Sequence, residues 1–174
     1  MNQQLKIAEA WKKGDKDKVL KLQEELVKST MTILMAINSV MSNRGGKTPG
    51  IDKKLYDNYT DLLLLVDELR ELDSYKATPV KRIYIPKSNG KLRPLGIPTI
   101  KDRCVQELYR LALLPISEVN ADYNSFGFRP GKSQRDAITA AVYSLMPYSE
   151  KGKVYPRFVL DADVKGYFDN ISHD

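Results

Sequence analysis

Apolar residues recur at helical spacing along the first part of the chain. Leu5, Ala8 and Trp11 share one face of a segment from 3 to 13. Leu22, Leu26, Ile33 and Ile37 share one face of a second segment from 16 to 40, with Asp15 as its expected N-cap. The run from Ser42 to Asp52 carries Gly45, Gly46, Pro49 and Gly50 and cannot continue a helix, so it reads as a loop. Thr60 is the expected cap of a third helix reaching Leu72, whose buried stripe is Leu62, Leu65, Val66 and Leu69.

After Pro79 the period changes to two. Ile83 and Ile85 alternate with Arg82 and Tyr84, and the run from Lys91 to Ile97 alternates around Leu92 and Leu95; Asn89-Gly90 between them is a hairpin-turn pair. Pro98 and Thr99 then lead into a helix from Lys101 to Val119 that offers Val105, Leu108, Leu111 and Ile116 for burial, with Pro115 expected to kink or interrupt it. A loop over 122–131 and a helix from Gln134 to Leu145 follow. Val154 to Asp163 reads as a strand between Gly152 and Gly166, with Phe158, Leu160 and Ala162 on its apolar face and Val159, Asp161 and Asp163 on the other. Ser172 would cap a helix starting at His173, so the sequence is expected to be a piece of a longer protein.

Composition narrows the function classes. The 174 residues are 42% hydrophobic, enough for a core. The longest apolar run, Leu62 to Val66, is far below the roughly 20 residues that span a bilayer. With no apolar N-terminal signal core either, a soluble cytoplasmic protein, of bacterial type, is expected and no membrane partner. Cys104 is the only cysteine and His173 the only histidine, which excludes an intramolecular disulfide and starves a zinc site or a Cys-His pair of ligands. Any metal must be held by oxygen. Net charge is +6, and its distribution is uneven: from Lys76 to Arg110 nine basic residues face only Asp102 and Glu107, so this window carries +7 and the remainder −1. A concentrated basic stretch attracts phosphates and releases counterions from nucleic acid.

Within that frame four segments carry candidate chemistry. The run Leu160 to Asp169 presents aspartates at a strand end, the hard oxygen ligands that nucleotidyl transfer uses to hold divalent ions, although such pairs also cap turns and a further acidic strand would be needed. Lys81, Arg82, Lys87 and Arg93 on the hairpin can grip a triphosphate or contact a duplex backbone. The loop Asn124 to Gly131 sets Phe126 and Phe128 beside Arg129, for stacking on bases or for plugging a core. Arg44 and Lys47, with the exposed amides of Gly45 and Gly46, can wrap a backbone or belong to a plain connector.

The order and wording of these segments resemble the group II intron-type reverse transcriptase/maturase family. Asn43 to Asp52 resembles its N-terminal extension loop. Pro79 to Lys87, with Lys91 to Thr99 and Asp102-Arg103, resembles its fingers block; Ser125 to Gly131 with Asp136-Ala137 resembles the next block; and Asp161 to Asp169 with Asn170, Ile171 and His173 resembles the palm block that holds the first catalytic aspartate. The first 40 residues match in helical character only.

The resemblance implies an α+β fold: a mainly helical fingers subdomain with a basic β-hairpin, plus the first strand of a polymerase-type palm. It divides the chain into N-terminal helices at 1–40, fingers at 41–150 and the start of the palm at 151–174. It implies Asp163 as catalytic and metal-binding, the Val164 carbonyl as a further ligand of magnesium (Mg2+), and Lys87 and Arg93 as the grip on the triphosphate. Tyr167 falls where a bulky ring excludes a 2′-hydroxyl, a modest departure from the commoner Phe. Lys81 and Arg82 lie near the template, Leu95 and Ile97 support the templating base, and Arg44, Lys47 and Arg129 contact RNA. The implied partners are intron RNA, a template-primer duplex and deoxynucleoside triphosphates. A homodimer through hairpin edges and uncovered palm surface is a further expectation. The family's Tyr-Ala-Asp-Asp turn is not among these residues, so this fragment is expected to bind RNA without polymerising. Two other readings compete: a non-catalytic RNA-binding splicing cofactor derived from such an enzyme, and a reverse transcriptase of another bacterial retroelement.

Overall fold

Short polar breaks between amphipathic stretches set the course of the chain. The computed structural model describes residues 2–88, 90–146, 148–150, 153–155, 158–164 and 170–172. It divides into two compact units, Met1–Ala121 and Asp122–Asp174. The expected α+β class holds, with helices dominating and short antiparallel strand pairs beside them.

In the first unit α1 (Asn2–Lys12) turns at Gly14 (φ 72°) into α2 (Lys16–Lys28), which Asp15 caps by accepting from the Lys18 N–H at 3.1 Å. The continuous helix expected over 16–40 is two helices. Ser29 is extended (φ −70°, ψ 127°), and α3 (Thr30–Ser42) starts after it. The apolar spacing runs unbroken through this point, but the faces have different destinations. Val19 and Leu26 of α2 join Ile7, Ala10 and Ala112, whereas Ile33, Ala36, Ile37 and Val40 of α3 enter the main core. The adjacent hydroxyls of Ser29 and Thr30 mark the break, since such residues favour helix ends. The third helix is capped two residues earlier than expected: Asn58 Oδ1 accepts from the Asp61 N–H at 2.9 Å, and α4 spans Tyr59–Arg70. Leu65, Val66 and Leu69 are buried as anticipated.

Strands β1 (Lys81–Pro86) and β2 (Leu92–Ile97) pair antiparallel, Lys81 opposite Ile97 and Pro86 opposite Leu92. Of the turn pair, Asn89 lies outside the described residues, while Gly90 has φ 76° and donates to the Lys87 carbonyl at 3.0 Å. Helix α5 (Ile100–Asn120) runs through Pro115 without interruption. A proline there deprives the Leu111 carbonyl of its usual donor. The Gln4 side chain of α1 supplies it at 2.9 Å, and Gln23 of α2 donates to the next carbonyl, Ala112, at 2.9 Å.

The main core joins α3, α4 and α5 around Ile33, Leu65, Leu69, Ile100 and Leu108, all fully buried. Burial of each stabilises the fold by about 1.5–3 kcal/mol relative to exposure. At its edge sits a charged group: Asp102 is only 4% exposed. Its Oδ2 accepts from the Thr99 hydroxyl at 2.7 Å, and Oδ1 accepts from the Tyr75 hydroxyl and from the Thr78 N–H at 3.4 Å. Thr99 Oγ1 in turn caps α5 by accepting from the Asp102 N–H at 3.0 Å. Burial alone would push the Asp102 carboxyl up, but the bonds from Tyr75, Thr99 and Thr78 outweigh it and hold the group below the usual carboxylate range. Burial and the Asp102 charge together push the Tyr75 phenol far upward.

In the second unit, α6 (Gln134–Leu145) opens with a capping box: Ser133 Oγ accepts from the Asp136 N–H at 3.3 Å, and the Ser133 N–H donates to Asp136 Oδ2 at 2.8 Å. Strands β3 (Tyr148–Glu150) and β4 (Lys153–Tyr155) pair antiparallel. The palm strand expected over Val154 to Asp163 is therefore corrected: β4 ends at Tyr155, and 158–164 carry no strand. A strand needs a neighbour for its amides and a surface for its apolar face. Among the described residues no strand pairs with 158–164, and Phe158 and Leu160 are exposed rather than anchored. The helix start expected at His173 lies outside the described residues.

Asp102→Asn is expected to lower unfolding stability at neutral pH by about 2 kcal/mol, the scale of hydrogen bonds to a charged acceptor. Because the folded-state value lies below the unfolded one, the carboxylate's contribution is present above about pH 4 and is lost as pH falls through the folded-state value. Urea denaturation followed by circular dichroism should show the gap between wild type and variant narrowing as pH drops below 4.

Candidate nucleic-acid interface

The basic segments converge on the first turn of α5 in the first unit. The loop after α3 folds back on that helix: Gly46 donates to the Asn43 carbonyl at 2.8 Å, Thr48 to the Gly45 carbonyl at 2.9 Å, and Asn43 Nδ2 to the Ser39 carbonyl at 2.9 Å. At Gly46 a Cβ would stand 2.5 Å from the Met41 carbonyl oxygen, and at Gly50 one would stand 2.7 Å from Thr99 Cα, so neither position accepts a side chain without displacement. Arg103 of α5 reaches under the loop. Its Nη1 donates to the Gly45 carbonyl at 2.6 Å, its Nη2 to the Thr48 carbonyl, and its Nε to the Thr99 carbonyl of its own helix at 3.4 Å. Arg44 and Lys47 stay exposed on this braced turn.

The hairpin register assigns the other cations to faces, because directly opposed residues share one. Lys81, Ile83 and Ile85 stand with Ile97, Leu95 and Arg93; Arg82, Tyr84 and Pro86 stand with Gly96, Pro94 and Leu92. Arg93, Leu95, Ile97 and Lys81 thus share one face, and Arg82 occupies the other. Leu92 and Leu95, read together along the sequence, fall on opposite faces. Lys87 lies just beyond β1, where its N–H donates to the Lys91 carbonyl at 2.7 Å. Lys81, Arg82, Lys87 and Arg93 are all exposed, and among the described residues none of them forms an ion pair. Asp102, which ties Tyr75 and Thr78 to α5, fixes the root of this hairpin.

In the second unit, Arg129 braces its own loop: Nη1 donates to the Asp122 carbonyl at 2.8 Å and the Ser125 carbonyl at 2.9 Å. Lys132 Nζ stands 5.5 Å from the ring centres of both Tyr123 and Phe126, within cation–π range. Phe126 is half-buried, whereas Phe128 is fully exposed with φ 59°, a left-handed conformation unusual for a bulky residue. Asp163 is exposed, and its Oδ1 accepts from the Val164 N–H at 2.9 Å; Val164 and Asp161 are exposed beside it. Tyr167 and the rest of 165–169 lie outside the described residues.

A carboxylate and a backbone carbonyl are suitable oxygen ligands for magnesium. Among the described residues no group of three or more acidic, histidine or cysteine side chains is placed to hold a metal ion. Cys104 is fully buried, and burial pushes its thiol up to about 12. Among the described residues no helix is long and apolar enough to cross a membrane. The family resemblance includes Asp102 and Arg103 but implies no role for either. The Thr99-x-x-Asp102 spacing is itself a capping signal, but nothing along the chain links Arg103 to carbonyls more than 50 residues away.

Comparison with known proteins adds two matched regions. Residues 1–69 match the N-terminal domain of reverse transcriptase, and residues 85–174 match the reverse transcriptase (RNA-dependent DNA polymerase) domain. Among curated relatives, protein YkfC of Escherichia coli is 39% identical over 143 residues, covering 79% of this chain and 36% of its own. The group II intron-encoded protein LtrA of Lactococcus lactis is 35% identical over 142 residues, covering 80% of this chain and 22% of its own. A 91 kDa protein in the cob intron of Schizosaccharomyces pombe is 32% identical over 142 residues, covering 81% and 17%. The chain therefore spans about a third or less of the length of these relatives.

Replacing Lys81 and Arg82 together by Gln is expected to leave stability within about 0.5 kcal/mol of wild type, since both are exposed and neither forms an ion pair among the described residues. The same change should lower the slope of log affinity against log salt for a single-stranded RNA by roughly 0.7 per cation. Thermal melting and fluorescence anisotropy at several salt concentrations measure the two effects.

Proposed function

The chain belongs to the reverse transcriptase (RNA-dependent DNA polymerase) family, and on that premise we propose that it forms the fingers and first palm segment of a group II intron-encoded enzyme. In this reading the whole protein copies RNA into DNA and binds its intron RNA to assist splicing and mobility. The names of relatives encoded in introns support it. So does one geometric observation: the hairpin register aligns Arg93, Leu95, Ile97 and Lys81 along a single face.

The proposed tasks follow from the chemistry of each group. Arg93 and Lys87 take the triphosphate, with Arg93 offering a planar fork and Lys87 a mobile point charge. Leu95 and Ile97 lie along the same face and support the templating base; Lys81 and Arg82 contact template phosphates from opposite faces. Arg44, Lys47 and Arg129 contact RNA, and Tyr167 excludes a ribonucleotide's 2′-hydroxyl. Asp163 and the Val164 carbonyl are ligands contributed to the magnesium that the complete enzyme uses to stabilise charge during nucleotidyl transfer. The organisation into helices at 1–40, fingers at 41–150 and palm start at 151–174 belongs to the same proposal. So do deoxynucleotides as substrates, a cytoplasmic site of action, and a second copy of the chain pairing through open hairpin edges. By itself this stretch binds RNA without catalysis.

Primer extension on an RNA template tests the reading in the full-length polymerase. Asp163→Asn should reduce it on the order of a thousandfold, the scale set by losing a few kcal/mol of charge stabilisation, while RNA binding persists. Undiminished extension would reject the assigned metal role.

A further inference from the structure

We infer that Arg103 is a positioning residue for RNA phosphates, acting through the 43–50 loop rather than by contact. This rests on the reading of Arg44 and Lys47 as RNA contacts. The guanidinium holds the Gly45 carbonyl at 2.6 Å through Nη1 and the Thr48 carbonyl through Nη2, with Nε on the Thr99 carbonyl at 3.4 Å. A carbonyl oxygen directed at a phosphate repels it, whereas one turned onto a guanidinium does not. Arg103 thus draws two carbonyls inward from either side of Lys47 and leaves both loop cations exposed.

The same contacts determine what the loop loses on binding. A free eight-residue turn would have to be ordered by the RNA, at the expense of affinity. Here Arg103, the Gly46 and Thr48 turn bonds and the wedge of Gly46 against α3 order it beforehand. With both Nη atoms committed, the Arg103 side chain has become part of the loop's scaffold. A lysine cannot substitute, because one ammonium does not reproduce a planar fork that spans two carbonyls.

Charge-preserving substitution separates this role from direct contact. Arg103→Lys and Arg103→Gln, made in the chain as it stands, are compared by anisotropy with a single-stranded RNA across a salt series, together with Arg44→Gln/Lys47→Gln. The expected result is that both Arg103 variants bind on the order of tenfold more weakly and lose up to about 1.4 from the salt slope, the share of two phosphates. In the Arg44→Gln/Lys47→Gln background neither should have any further effect. Gly46→Ala, which displaces the loop while Arg103 is intact, should give the same loss, and serves where an Arg103 variant does not fold. Wild-type binding by Arg103→Lys or by Gly46→Ala overturns the inference, as does an additive loss in the doubly substituted background. No change from Arg44→Gln/Lys47→Gln alone would instead reject the underlying assignment of the loop to RNA.

Discussion

One buried carboxylate holds the basic half of the first unit in place. Asp102 is almost wholly removed from water and remains anionic because Tyr75, Thr78 and Thr99 each direct a donor at it. A two-stranded hairpin has little core and is marginal in isolation. Here its approach is tied down at Tyr75 and Thr78, and its exit at Thr99, by the same side chain. The neighbouring Arg103 extends that anchorage to the loop at Gly45 and Thr48. Two consecutive residues of one helix turn thereby anchor both the hairpin root and the loop that carries Arg44 and Lys47.

This economy suits the surface proposed to bind polyanions. Unpaired cations repel one another and gain nothing from self-pairing, so rigidity has to come from beneath them. Lys81, Arg82, Lys87 and Arg93 have no ion-pair partners among the described residues. Among the described residues the shorter salt bridges, such as Lys101 with Glu68 at 2.9 Å and Arg110 with Glu107 at 2.6 Å, join helix residues. Ion-paired helix charges and the unpaired hairpin cations thus lie on different elements.

Much of this was legible along the chain, for reasons that differ by element. The period of two around Ile83 and Ile85 and the Asn89-Gly90 pair give the hairpin. The stripe Leu65, Val66 and Leu69 gives α4, and Asp15 gives the start of α2. The break at Ser29 was hidden because Leu26 and Ile33 are two helical turns apart, a spacing that one helix or two can produce. The run at 158–164 has the alternation of a strand, yet alternation records only which residues would be buried if a partner sheet were present. The roles of Asp102 and Arg103 depend on contacts between distant segments, which no local pattern encodes. For the proposed site, the family resemblance located candidate residues, and the register added which of them share a face.

The proline in α5 carries an implication for modularity. Its unsupplied carbonyl at Leu111 and the adjoining one at Ala112 are served by Gln4 and Gln23 from the first two helices. The stretch related to the N-terminal domain and the stretch related to the polymerase domain are therefore sewn together by side chains crossing the boundary between them. Grafting either onto a foreign partner would leave the Leu111 carbonyl without the donor that Gln4 supplies, so the two have reason to be inherited as one piece.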